Sequence, residues 1–169
     1  MLEMPLHPLR HGMRRFWNPV ESRYWAYERP ALIEAECGRC GKSYAFKPDP
    51  GPPYPYDPVS GGYRLIKGEV CGAIAGRGAC GKCGKVATSL NWPEAAHIKI
   101  KVAEGVLWSW NTQQLLAIRA HVAGDKVLLR RMLMNDWNLS RIVGRIPRFA
   151  AIKRNRVKVL AAIDRYLRK

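Results

Sequence analysis

Two short cysteine pairs, Cys37-Gly38-Arg39-Cys40 and Cys80-Gly81-Lys82-Cys83, carry the most legible chemistry in this chain. A two-residue gap lets one tight turn aim two sulfurs at a single ion. Two such turns supply four thiolates, which fill the tetrahedral shell of Zn2+ and leave no position for water or substrate. The expected group is one structural zinc ion held by Cys37, Cys40, Cys80 and Cys83, contributing to folding and not to catalysis. Glycine follows the second cysteine of each pair, at Gly41 and Gly84, where the backbone must fold back closely and turn amides can donate to sulfur. Lys and Arg around both turns offset the thiolate charge. An iron–sulfur cluster takes the same ligands, and a redox dithiol needs only one pair. Duplication of the pair favours zinc over both. The fifth cysteine, Cys71, is surplus to a complete ligand set: it reads as a small buried residue or free thiol, with a stand-in ligand as the lesser alternative.

No catalytic set accompanies the cysteines. His7, His11, His97 and His121 form no H-E-x-x-H pattern, and no phosphate-binding loop or nucleophile elbow occurs. The acids are scattered without paired spacing. The expectation is a protein that binds and does not catalyse.

Charge indicates what it binds. The chain has 29 Lys+Arg against 13 Asp+Glu, a formal net charge of +16. Such an excess is self-repulsive, and a polyanionic partner explains it. Nucleic acid, DNA or RNA, ranks first; an ordinary solvated basic surface is the bland alternative. No run of about 18 apolar residues suggests a membrane span, and the N-terminus lacks the apolar core of a signal peptide. With paired C-x-x-C spacing, these features lead us to expect a soluble, cytoplasmic protein.

The elements that must position the cysteines can be read from periodicity. Residues 1–30 form a basic and aromatic arm interrupted by Pro5, Pro8, Pro19 and Pro30. Residues 31–36 and 43–47 read as strands on either side of the first pair, and residues 86–92 as a strand after the second. Residues 47–62 hold six of the chain's 12 prolines and read as an irregular insertion. The glycine-rich stretch before the second pair reads as turns. Residues 97–102 alternate, Ile98, Ile100 and Val102 against His97, Lys99 and Lys101, and pair with 106–110 as a hairpin. From residue 111 the pattern is helical: Asn111 or Thr112 caps a first helix ended by Gly124, Asp125 caps a second, and Asn155 caps a last one. That last helix places Val159, Leu160, Ile163, Tyr166 and Leu167 on one face.

The motifs CGRCGK and CGKCGK with flanking strands resemble the broad zinc-ribbon group over roughly residues 31–92. The 39 residues between Cys40 and Cys80 are more than compact ribbons hold. The resemblance implies a zinc ribbon over that stretch. With the hairpin and the helical pattern read above, the expected fold is α+β: a zinc-ribbon β module over 31–110 with a proline-rich insertion at 47–62, then short basic amphipathic helices over 111–169. It adds the expectation that such a module stands on nucleic acid or in the machinery that handles it. The helical part has fourteen Lys and Arg against Asp125, Asp136 and Asp164. Expected phosphate contacts are Lys99, Lys101, Arg141, Arg145, Arg148, Lys153, Arg154, Arg156, Lys158 and Arg165. Arg156 and Lys158 oppose the dipole of their own helix, a conflict that a phosphate there would relieve. The alternative is a protein-docking module within a larger nucleoprotein assembly, with Trp108, Trp110 and Trp137 as anchors.

Overall fold

Period-two alternation on both sides of the cysteine turns folds as antiparallel sheet, and the chain becomes helical where the period lengthens. The computed structural model describes residues 30–50, 56–59, 61–63, 73–136, 139 and 146–169. The arm over residues 1–29, residues 51–55 of the proline-rich segment, Cys71, Trp137, Arg141 and Arg145 lie outside the described residues. The strands are β1(Ile33–Glu36), β2(Ser43–Pro48), the short pair β3(Tyr56–Asp57) and β4(Gly62–Tyr63), β5(Ala73–Ala79), β6(Val86–Asn91), β7(Ile98–Val102) and β8(Gly105–Ser109). Helices α1(Thr112–Ala123) and α2(Lys126–Asn135) follow. A single turn Arg148–Ala151 and a 3-10 turn Lys153–Asn155 then lead into α3(Arg156–Leu167), so the architecture is mixed α+β.

The main sheet has the order β1-β2-β5-β6, all neighbours antiparallel. β5 corrects the sequence reading: the glycines before the second cysteine pair lie within a strand as well as in turns. A Cβ at Gly76 would stand 2.4 Å from the Lys47 carbonyl oxygen and 2.6 Å from the Phe46 ring. Glycine is weak in strands on propensity alone, but here the missing side chain makes room for the fully buried Phe46. Register and packing decide this strand, and neither is visible locally.

The β1 edge is closed by the chain that follows the sheet. Glu34 N donates to the Trp110 carbonyl at 2.7 Å, Glu36 N to Ala95 at 2.8 Å, and His97 N to Glu34 at 3.2 Å. The β7–β8 hairpin is thereby anchored between two cores. On one side Ile33, Ala35, Phe46, Ile74 and Leu90 pack with Trp92, Trp108 and Trp110. Trp92 and Trp110 stack at 4.2 Å, and Trp108 meets both edge-on. On the other side Ile98, Ile100 and Leu107 pack with Leu115, Ile118, Val122, Val159 and Ile163. Trp108 and Trp110 are thus core residues and are not available as partner anchors.

Helix caps follow the sequence in two cases of three. Asn111 Oδ1 accepts from Gln114 N, and the Glu34 carboxylate reaches the same end, accepting from Thr112 N at 2.9 Å. Gly124, at φ +75°, ends α1, and Asp125 accepts from Leu128 N to start α2. Asn155 is the correction. The 3-10 turn feeds helical geometry straight into α3, so Asn155 makes no side-chain cap. Its buried amide instead donates to the Phe149 carbonyl at 2.9 Å, fastening the preceding turn. Of the expected apolar face of α3, Val159 and Ile163 are buried, whereas Leu167 lies exposed at the helix end.

Arg119 of α1 and Asp164 of α3 join the helices, with Arg119 Nε 2.5 Å from Asp164 Oδ1. This hydrogen bond holds the Asp164 carboxyl below its ordinary range. A depressed folded pKa means the pair stabilises above the unfolded value of about 3.9 and the gain is lost as pH falls. Asp164→Asn is therefore expected to lower the melting temperature slightly at neutral pH, with the gap closing in acid. Thermal scans from neutral pH down to about 3 check this.

Candidate metal centre

Each cysteine pair sits in a turn between two strands, and the two turns have the same internal bonding. Cys37 N donates to Lys42 O at 2.9 Å and Gly41 N to Cys37 O at 2.8 Å. Cys80 N donates to Lys85 O and Gly84 N to Cys80 O at the same two distances. Gly41 and Gly84 adopt φ +69° and +70°, a left-handed conformation that a side chain would strain. The glycine after each pair is thus explained by backbone geometry. Each turn closes a hairpin, β1–β2 or β5–β6, and the antiparallel pairing of β2 with β5 brings both turns to the same end of the sheet.

The four Sγ atoms all lie within 4.8 Å of one another. Across the turns, Cys37 Sγ is 3.6 Å from Cys83 Sγ and Cys40 Sγ is 3.5 Å from Cys80 Sγ. Sulfurs about 2.3 Å from a central tetrahedral ion stand about 3.8 Å apart, so these residues fit one metal ion. Cys37 and Cys80 are buried, Cys83 is half-buried and Cys40 is exposed.

Electrostatics within the cluster point the same way. The amides of Arg39 and Cys40 hold the Cys37 thiol down to about 6. The amide of Cys83 leads those lowering Cys80. Cys40 is opposite: although the Lys42 amide favours its thiolate, desolvation and the neighbouring sulfurs push it up to about 12. Four sulfurs this close do not all ionise alone, and a cation at their centre removes that conflict. Once four thiolates are bound, a tetrahedral ion has no open position.

The expected phosphate contacts fare unevenly. Lys99 pairs with Glu36 at 3.2 Å and donates to the Glu94 carbonyl at 3.1 Å. Lys158 approaches Glu104 at 3.8 Å. The Arg156 guanidinium lies over Gly124, where an added Cβ would be 3.3 Å from it. It therefore faces the negative end of α1, which eases the dipole conflict at the start of α3 without an external anion. Lys101, Lys153, Arg154 and Arg165 are exposed. Arg148 opens the turn Arg148–Ala151, while Arg141 and Arg145 lie outside the described residues.

Two cations escaped the sequence reading. Lys47 of β2 and Arg77 of β5 stand directly opposite each other in register. The outward position of Lys47 follows from the alternation of Tyr44 and Phe46, but Arg77 had no legible strand to stand on. No family model, curated protein or solved structure matches this chain.

Proposed function

We propose that this is a non-catalytic, zinc-stabilised nucleic-acid-binding protein that contacts phosphates through its basic helical region. One observation carries the reading: fourteen Lys and Arg against three acids from residue 111 onward, with Lys153, Arg154, Arg156, Lys158 and Arg165 exposed. The metal would be zinc, because four thiolates in a closed tetrahedral set suit it and it needs no redox chemistry to act as a cross-link. In this reading the cysteine turns and their strands form a ribbon, and the ion ties its two halves together. Phosphate contact gives affinity with little sequence preference, since the sequence of no helix carries an obvious Arg/Asn/Gln set for base edges. A cytoplasmic location suits four cysteines that form no disulfide. Among the described residues no helix is long and apolar enough to cross a membrane.

The competing reading, a protein-docking module, is weakened by the burial of Trp108 and Trp110. Fluorescence anisotropy with single-stranded DNA, duplex DNA and RNA separates the two. Binding is expected to weaken with salt by a log–log slope of about 0.7 to 0.9 per phosphate contacted. Replacing Lys153, Arg154 and Arg165 together with alanine should lower that slope by about 2.1 to 2.7. Failure to bind any of the three at low salt would remove this reading and leave protein docking.

A further inference from the structure

The sheet carries six exposed cations outside the helical region: Arg39 and Lys42 in the first cysteine turn, Lys82 and Lys85 in the second, and Lys47 and Arg77 on the strands. Four thiolates around a dication carry a net charge of about −2, which the four turn cations more than offset. Lys47 and Arg77 have no such role. They are directly opposite across β2 and β5, on the same outward face. Like charges at directly opposed positions destabilise a sheet. Neither is in an ion pair among the described residues. Asp49, two positions beyond Lys47, is exposed and pairs with neither.

Across the ladders the same face carries Glu34 and Glu36 of β1, engaged by Thr112 and Lys99, and Val86, Ser89 and Asn91 of β6. On β2 and β5 the rest of this face is low. Ser43 and Ala45 of β2, and Ala73, Ala75 and Ala79 of β5, are the exposed alternate residues around the two cations. No bulky side chain among these positions keeps a polymer away from the sheet, and no aromatic among them is placed to stack on a base. At about 3.3 Å per residue, Arg77 lies roughly 10 Å along its strand from Cys80, and Lys47 roughly 16 Å from Lys42. At about 3.4 Å per nucleotide of one strand, that track spans roughly three to five nucleotides.

We propose that the outward face of the sheet, from the cysteine turns to Lys47 and Arg77, is a second phosphate-contact surface that follows a nucleic-acid backbone without reading bases. It rests on the nucleic-acid reading above and extends it from the helices to the sheet. The bound phosphates supply the counter-charge that the Lys47–Arg77 juxtaposition lacks among the described residues.

The test uses full-length, metal-loaded protein and whichever of 20-nucleotide single-stranded DNA, duplex DNA or RNA binds the wild type most tightly. Lys47→Gln with Arg77→Gln is expected to lower the log–log salt slope by about 1.4 to 1.8 and the affinity at 0.1 M salt roughly 25- to 60-fold. Its melting temperature should stay the same or rise, because a like-charge pair has been removed. The charge-keeping variant, Lys47→Arg with Arg77→Lys, should bind like the wild type. An unchanged slope in the glutamine variant, while the Lys153/Arg154/Arg165 variant loses affinity, would confine binding to the helices and overturn this inference alone. Equal loss in the charge-keeping variant would overturn it too, by showing that the effect is structural. A wild type that binds none of the three probes would overturn the nucleic-acid reading itself.

Discussion

Stripping the metal with a chelator, or replacing Cys80 with serine, is expected to unfold the four-stranded sheet. The sulfurs of the β1–β2 and β5–β6 turns approach to 3.5 and 3.6 Å, so an ion held by all four would cross-link the two turns beyond the β2–β5 pairing. Structural zinc supplies roughly 10–16 kcal/mol in small zinc modules, as much as the whole stability of an ordinary domain, about 5–15 kcal/mol. Without it, the four clustered sulfurs cannot all ionise and the two turns lose their cross-link. The expected readings are about one equivalent of zinc in the wild type and less than half of that in Cys80→Ser, with loss of the cooperative thermal transition. Elemental analysis and circular dichroism on the same samples provide both. Retention of one equivalent and of the wild-type transition in Cys80→Ser would refute the ligand assignment. Acid acts in the same direction, because each ligand must be deprotonated to bind.

Trp110→Ala is expected to be the most damaging substitution away from the metal. Trp110 is 2% exposed and stacks on Trp92. Its carbonyl accepts from Glu34 N at 2.7 Å, and its amide donates to the buried Gln114 side chain at 2.6 Å. The residue therefore links the β1 edge, the tryptophan cluster and the first turn of α1. Truncating a buried tryptophan costs about 3–5 kcal/mol, a melting shift of roughly 6–20 °C for a chain of this size. The metal equivalent should be unchanged, which distinguishes this loss from that of Cys80→Ser. A shift under about 2 °C would show that the cluster does not bear on global stability.

The candidate metal site was legible in one dimension turn by turn, because the geometry of each turn is local. Each pair of sulfurs is set by a six-residue turn, and the glycine after it is required by a left-handed backbone at Gly41 and Gly84. The strands flanking the turns, the hairpin and the Asn111, Gly124 and Asp125 boundaries were likewise local, resting on periodicity and capping chemistry. β5 was not local. Its sequence, AIAGRGA, has the glycine content of a turn, and it is a strand because Phe46 of another strand needs the space above Gly76. Asn155 looked like a cap, yet the turn before it already had helical geometry and left its amide to Phe149. The charge balance likewise showed how many cations there are, but not which remain available. Folding paired Lys99 with Glu36, brought Lys158 to Glu104, and set Arg156 over the end of α1, while leaving Lys47 opposite Arg77. The sequence by itself determined the four candidate ligands, the turns that aim them and the sign of the charge. Only the tertiary structure decided which residues share a face, because pairing between distant strands depends on packing that no local window contains.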